Sequence, residues 1–180
     1  MMKIKALASL ESRQLKERVI SAVEKIFFES SVKKTFKSGE EREAFRHKYL
    51  DWYAKNYPEY FFVALDQNNN AYGYICGVPD TTKHPELNTL HPWFSLISDD
   101  FSDYQAHLHI NCADTARGIG LGSTLLNVFE NALRGKGIKG VHLVTAPDAR
   151  NVGFYDKNGY KFRHDFLWNS NPMLLMGKQL

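Results

Sequence analysis

The sequence is poor in the features that mark disulfide-rich, membrane and secreted proteins. Its 180 residues include two cysteines, Cys76 and Cys112, which are too few for a disulfide framework. No stretch approaches the roughly 20 consecutive apolar residues of a membrane-spanning helix. The amino-terminal residues also lack the apolar segment of a secretory signal peptide. These absences predict a soluble cytoplasmic protein with no membrane partner.

A strong excess of charge of one sign is missing as well. The formal net charge is +3, from 23 Lys and Arg against 20 Asp and Glu. No basic run is dense enough to form a nucleic-acid-binding arm, so the charge balance predicts no nucleic-acid partner. The hydrophobic fraction of 43% and the charged fraction of 24% are typical of globular proteins. A chain of this length is expected to form one domain over residues 1–180.

What the sequence does contain is an alternation of strand and helix patterns. Short apolar or alternating runs predict seven strands, in the segments MKIKAL, YFFVALD, AYGYICGV, QAHLHINC, GVHLVTA, YKFRHDFLW and MLLMGKQL. Other stretches predict four helices, over residues 11–30, 40–57, 118–134 and about 149–158. The turn QNNN predicts a hairpin, and the later β-α-β order predicts one parallel strand pair. The expected fold class is therefore α/β, with a mixed sheet.

The stretch ARGIGLG, residues 116–122, lies between a predicted strand and a predicted helix. Glycines there would let phosphate oxygens approach the N–H groups of the first helical turn, at the positive end of the helix dipole. A dinucleotide-binding G-x-G-x-x-G would need glycine where Ser123 stands, and the chain has no G-x-x-x-x-G-K string of a P-loop. The turn is therefore a candidate anion site of another type, or a glycine-rich turn without a ligand.

Two motifs resemble those of the GCN5-related N-acetyltransferase (GNAT) superfamily. The hexapeptide RGIGLG, residues 117–122, is similar to the family's acyl-CoA pyrophosphate loop, [R/Q]-x-x-G-x-[G/A]. About thirty residues later, NVGFYDKNGY resembles the family signature N-V-x-F-Y-x-x-x-G-[F/Y]. The resemblance extends from about Tyr60 to the carboxyl terminus. AHLHIN and the loop before it are especially similar to a subgroup with stand-alone bacterial acetyltransferases and the acetyltransferase-like domain of some O-GlcNAc hydrolases.

The resemblance implies the GNAT fold, a mixed central sheet of six to seven strands that is splayed between strands 4 and 5 and flanked by helices. It also implies direct transfer of an acetyl group from acetyl-CoA to a primary amine of a small molecule or peptide. The positions that match cofactor-binding residues of the family are Asn111, Cys112, Arg117, Gly118, Ile119, Gly120, Gly122, Ser123, Asn151 and Phe154. The acceptor amine and the oligomeric state are left open.

Tyr155 occupies the family's position for a catalytic acid. A phenol with a pKa near ~10 is matched to the thiolate that leaves acetyl-CoA, and a packed helix tyrosine is the alternative. His109 is the candidate base, because imidazole titrates near neutral pH; the alternative is a histidine hydrogen-bonded inside the sheet. No metal is expected at His107, His109 and His142, because carboxylate or cysteine ligands at metal spacing are missing.

Three alternatives accompany this interpretation. Cys112 as an acyl-carrying nucleophile has no base partner in the sequence, so a small buried strand residue is expected there. Aromatic and acidic side chains of the long segment 79–104 are expected either to line the acceptor pocket or to fix the loop to the core: Trp93, Phe94, Asp99, Asp100 and Tyr104. The alternative function is a catalytically weak acetyltransferase-like module that binds acyl-CoA or a partner.

Overall fold

Seven strands and six α-helices make up the computed structural model, which describes residues 2–180. The strands are β1 (Lys3–Ala6), β2 (Phe61–Leu65), β3 (Ala71–Val78), β4 (Ala106–Cys112), β5 (Gly140–Thr145), β6 (Phe162–Trp168) and β7 (Asn171–Gln179). They form one sheet in the order β1-β2-β3-β4-β5-β7-β6. β4 and β5 are parallel, whereas β1–β2, β2–β3, β5–β7 and β6–β7 are antiparallel. The predicted mixed α/β fold is confirmed.

The helices are α1 (Arg13–Ser30), α2 (Gly39–Arg46), α3 (Trp52–Asn56), α4 (Leu87–Leu90), α5 (Leu121–Arg134) and α6 (Val152–Lys157). α1 begins after Ser12, whose side chain accepts the Leu15 N–H at 3.1 Å. The helix predicted over residues 40–57 is observed as a continuous helical run, in which a π-helical turn at His47–Asp51 joins α2 to α3. None of the helices in residues 2–180 has the length and apolar character needed to cross a membrane.

The chain divides into two compact units. The first unit comprises the residues up to Gly77 together with His109–Phe129. Its hairpin of β2 and β3 turns through Asn69, which has a φ of 60°, and asparagine tolerates this left-handed conformation better than most residues. The QNNN hairpin is therefore confirmed. α1 faces the core of this unit with four buried side chains, Val19, Val23, Ile26 and Phe27.

The second unit comprises Val78–Leu108 and Glu130–Leu180. Its β6–β7 hairpin turns through Asn169 and Ser170, with φ of 48° and 63°, as a two-residue turn that matches the strand twist requires. The segment 79–104 is not one irregular loop, because it folds into short 3₁₀ turns and α4.

Two glycines allow the end of segment 79–104 to pack closely against the sheet. A Cβ atom at Gly140 would overlap the carbonyl oxygen of Asp103, and one at Gly177 would come within 2.7 Å of the Tyr104 ring. The same ring stacks on Phe162, with centroids 4.6 Å apart. Any side chain at these two positions would therefore displace the loop.

Histidines form part of the core of the second unit. The fully buried His142 donates from Nδ1 to the carbonyl oxygen of Tyr104 at 2.6 Å and stacks on Phe101 at 4.9 Å. His107 is also buried, and its Nδ1 lies 3.0 Å from the hydroxyl of Thr81. Burial lowers the pKa of His142 to about 4, since the low-dielectric core disfavours the imidazolium ion.

Acid is expected to destabilise the protein through His142. Its pKa is lower in the folded than in the unfolded chain, so the unfolded state takes up the proton first. Stability is therefore lost as the pH falls from 6.5, the ordinary value, to about 4. The free energy of unfolding should decrease by roughly 3 kcal/mol over this window. Urea unfolding at a series of pH values would measure it, and His142→Phe should flatten the dependence by about one proton. An equally steep dependence in the variant would contradict this assignment.

Candidate active site

The turn between β4 and α5 is held by local contacts and leaves its backbone exposed. A 3₁₀ turn over Asp114–Ala116 leads into it, and the Arg117 guanidinium pairs with the Asp114 carboxylate. Gly118 and Gly120 have φ of 77° and 83°, which favours glycine at both positions. A Cβ atom at either would meet nothing within 4 Å. The backbone conformation therefore accounts for the two glycines, and the space beside them is open.

The first turn of α5 carries N–H groups that the helix itself cannot satisfy. The Gly120 carbonyl oxygen accepts both the N–H and the hydroxyl of Thr124, each at 3.1 Å. The N–H groups of Leu121, Gly122 and Ser123 precede this bond and have no acceptor within the helix. Because Gly120 lacks a side chain, it cannot cap them as serine or aspartate would. These amides, with the positive end of the helix dipole, suit phosphate oxygens.

The parallel pairing of β4 with β5 is short. Ala106 pairs with Val141, and His107 pairs with His142. Within residues 2–180 this register contains two pairs, and residues 108–112 of β4 lie beyond it. Strands that splay apart, as the resemblance to the GNAT superfamily implies for strands 4 and 5, are expected to pair over only a few residues.

The end of β4 requires close backbone packing within the first unit. A Cβ atom at Gly73 would lie 3.1 Å from both the Asn111 carbonyl oxygen and the Cys112 Sγ. The Asn111 amide donates to the Tyr74 hydroxyl at 2.8 Å, and the Ala113 N–H donates to the Tyr72 carbonyl oxygen at 2.9 Å. The predicted pantetheine positions Asn111 and Cys112 thus lie on an ordered strand end.

The Cys112 side chain is unsuited to nucleophilic catalysis. Burial raises the pKa of its thiol to about 11, although the positive charge of Arg117 acts in the opposite direction. Since the thiolate is the nucleophilic form, little of it exists at neutral pH. This supports a packing role for Cys112 and argues against an acyl-cysteine intermediate.

His109 lies against two tyrosines of the first unit. Its Nε2 is 3.1 Å from the Tyr53 hydroxyl, and its ring meets the Tyr49 ring edge-on at 5.2 Å. Burial raises the pKa of Tyr49 to about 12 and that of Tyr53 well above its ordinary value. Both phenols are therefore protonated at neutral pH, and Tyr53 is able to donate to Nε2. Proton transfer at His109 would then use Nδ1 or involve the Tyr53 hydroxyl, and the role of His109 stays a prediction.

Tyr155 is a buried residue of α6 in the second unit. Its ring packs at 5.2 Å from Phe154 and at 5.7 Å from Tyr160. Asn151 precedes α6, and its side-chain oxygen accepts the Thr145 hydroxyl at 2.9 Å. The structure thus joins Asn151 to the end of β5 and places Phe154 beside Tyr155. Their predicted cofactor contacts remain predictions.

A buried ionic cluster near Tyr155 was not predicted from the sequence. Glu130, 3% exposed, accepts the Tyr160 hydroxyl at 3.1 Å and the Lys178 ammonium at 2.6 Å, and the Arg134 guanidinium lies 3.5 Å away. A signal was present, because Glu130 lies four residues after Leu126 on the apolar stripe of α5. A carboxylate at such a position needs partners.

The side chains of segment 79–104 divide between packing and exposure. Phe94 is buried beside His107 at 5.1 Å, and Tyr104 is stacked as described above, so these two fix the loop. The Asp100 carboxylate lies 2.6 Å from His164 Nδ1, and Asp99 is exposed. An acceptor-binding role stays a prediction for Asp99, Asp100 and Trp93. Across residues 2–180, no three His, Cys, Asp or Glu side chains are grouped as metal ligands.

Comparison with known proteins identifies a family and a fold. Residues 21–160 match the model of the Acetyltransferase (GNAT) family. The crystal structure of SsHAT superimposes with a TM-score of 0.75 at 21% identity, over 99% of this chain and 98% of that chain. Drosophila melanogaster polyamine N-acetyltransferase, which forms N-acetylagmatine, gives 0.67 at 13% identity over 100% of both chains. The NatC complex bound to Gag peptide and CoA gives 0.65 at 13% identity over 99% and 98%. At these identities, the structural likeness concerns the fold alone.

Proposed function

Because this chain belongs to the acetyltransferase (GNAT) family, we propose that it transfers the acetyl group of acetyl-CoA to a primary amine by direct attack. The observation that carries the proposal is the glycine turn at Gly118 and Gly120, which opens onto the first-turn amides of α5. The family match covers parts of both compact units, which supports one functional domain. A cytoplasmic location stays a prediction.

The diphosphate of acetyl-CoA would be held by the residues of the glycine turn. The N–H groups of Gly120, Gly122 and Ser123 would donate to its oxygens, together with those of Gly118 and Ile119. Ile119 is 63% exposed and adds no competing polar group. Arg117 would stabilise the turn through its ion pair with Asp114 and would add positive charge. The backbone at Asn111 and Cys112 would pair with the amides of the pantetheine arm, as an added strand does. Asn151 and Phe154 would complete the contacts.

The reaction requires one proton to leave the amine and one to reach the sulfur. The neutral amine nitrogen attacks the thioester carbonyl, the C–N bond forms, and the C–S bond breaks. His109 would accept the proton that the nitrogen loses, directly or through water, and Tyr155 would donate a proton to the departing thiolate. Direct transfer is favoured over an acyl-cysteine because the Cys112 thiol stays protonated at neutral pH.

The acceptor would be an amine of a small molecule or peptide. Structural relatives include a polyamine N-acetyltransferase and an assembly bound to a peptide and CoA, which supports this breadth. The exposed Asp99 and the neighbouring Asp100 would favour a cationic amine.

Acetyl-CoA is expected to stabilise the folded protein. A ligand at a hundredfold excess over its Kd should raise the free energy of unfolding by ~2.7 kcal/mol, because it binds the native state alone. Thermal unfolding would measure this, with desulfo-CoA as a donor analogue that should act nearly as well, and NAD and ATP as controls that should not. Turnover would then be tested on a panel of amines. Stabilisation without turnover would indicate a binding module, and no stabilisation by any CoA species would reject the proposal.

A further inference from the structure

Glu130 is a buried carboxylate with three partners among the described residues. Its carboxylate accepts from the Tyr160 hydroxyl and the Lys178 ammonium, and Arg134 lies beside it. Two cationic side chains lie beside one buried carboxylate, which accounts for a Glu residue with 3% exposure. Burial and the Glu130 charge raise the pKa of Tyr160 well above its ordinary value. The Tyr160 phenol is therefore a permanent donor to Glu130 near neutral pH.

Tyr160 is joined to Tyr155 by the way α6 ends. Gly159 has a φ of 91°, and its N–H donates to the Asp156 carbonyl oxygen at 3.2 Å. The Tyr160 N–H donates to the Tyr155 carbonyl oxygen at 3.1 Å. These two bonds are those of a Schellman cap, in which the residue after the glycine also packs on the residue five positions before it. The two tyrosine rings, 5.7 Å apart, make this contact.

We propose that Glu130 is a positioning residue for Tyr155, acting through Tyr160. The hydrogen bond from the Tyr160 hydroxyl fixes that ring, and the cap and ring contact fix the Tyr155 side chain. The inference rests on the proposed function, since it gives Glu130 a role in presenting the catalytic acid. Lys178 and Arg134 balance the charge, and Arg134 does so from the surface, with 41% of its side chain exposed.

Steady-state kinetics of Glu130→Gln and Tyr160→Phe test the proposal. Each should lower kcat by about tenfold while KM for acetyl-CoA stays near wild type, because misplacing a catalytic group weakens the transition state rather than ground-state binding. In a Tyr155→Phe background, the same substitutions should lower kcat no further, since the group they position is absent. An equal loss in both backgrounds, or no loss in either, would overturn the positioning role.

Controls separate this inference from folding and from the proposed function. Arg134→Gln removes the exposed partner of Glu130 and should change kcat less than twofold, by analogy with exposed ion pairs. If Glu130→Gln does not fold, Tyr160→Phe carries the test, because it keeps the ring and the buried charge. A normal kcat in Glu130→Gln and Tyr160→Phe with a low one in Tyr155→Phe overturns the inference alone. A normal kcat in Tyr155→Phe overturns the inference together with the acid role of Tyr155, and no wild-type turnover on any amine overturns the proposed function as well.

Discussion

Tyr155→Phe is expected to lower kcat by ~10²–10⁴, the usual contribution of general acid catalysis. The substitution keeps the ring that packs on Phe154 and Tyr160, so folding and affinity for CoA should barely change. What it removes is one proton donor to the thiolate. KM for acetyl-CoA should therefore stay near wild type, the pattern of an interaction made in the transition state. Steady-state kinetics on the best amine would measure both constants.

A second tyrosine provides the matched control for this substitution. Tyr60 is also buried, and its ring packs on Phe129 in the first unit. Tyr60→Phe removes a phenol from the core without touching α6, so kcat should remain close to wild type. The deficit of Tyr155→Phe should also shrink with an acyl donor whose thiolate leaves more easily, because such a leaving group needs less protonation. Wild-type kcat in Tyr155→Phe would remove this residue from the mechanism.

Gly120→Val is expected to weaken CoA binding by on the order of 10²–10⁴-fold. A branched side chain there would stand between the phosphate oxygens and the amides of α5, and two lost charge-assisted hydrogen bonds account for such a change. The φ of 83° at Gly120 also disfavours valine, with a cost of about 1–2 kcal/mol. The fold should survive, because a Cβ atom there meets nothing within 4 Å. Calorimetric titration with CoA would measure the loss.

Gly137 offers a control with the same backbone conformation. Its φ is 73°, and a Cβ atom there would also meet nothing within 4 Å. It follows α5, whereas Gly120 precedes that helix. Gly137→Val should therefore lower stability by a similar amount and leave CoA affinity unchanged. Equal CoA affinities in Gly120→Val and Gly137→Val would mean that Gly118 and Gly120 are needed only for the backbone conformation of the turn.

The elements that sequence predicted best are those whose local pattern and tertiary role agree. Alternating strand patterns and the QNNN turn predicted the β2–β3 hairpin, and the apolar stripe in residues 11–30 predicted α1. Boundaries shifted where backbone conformation mattered. α5 was expected from residue 118 and begins at Leu121, because Gly118 and Gly120 adopt left-handed conformations that no helix continues.

Contacts distant in sequence could not be read from spacing. No sequence pattern predicts the contact of Tyr53 with His109 or that of Glu130 with Lys178, because the residues of each pair are brought together only by the tertiary fold. The family motifs named Tyr155 and the glycine turn, but not the groups that surround them. The close packing of the Asp103 backbone against Gly140 could not be predicted from the sequence either, because a glycine in a strand has many possible causes.

The π-helical turn at His47–Asp51 constrains the number of residues in the helical run that contains it. Such a turn amounts to one inserted residue in an α-helix and is frequent at functional sites. Deleting one residue there would restore α-helical phase and swing the residues that follow by about 100° around the helix axis. Tyr53, in α3, would then leave His109. A relative that has a regular α-helix at residues 47–51 would show a one-residue gap in the alignment. The residue equivalent to His109 in that relative would then contact a different side chain.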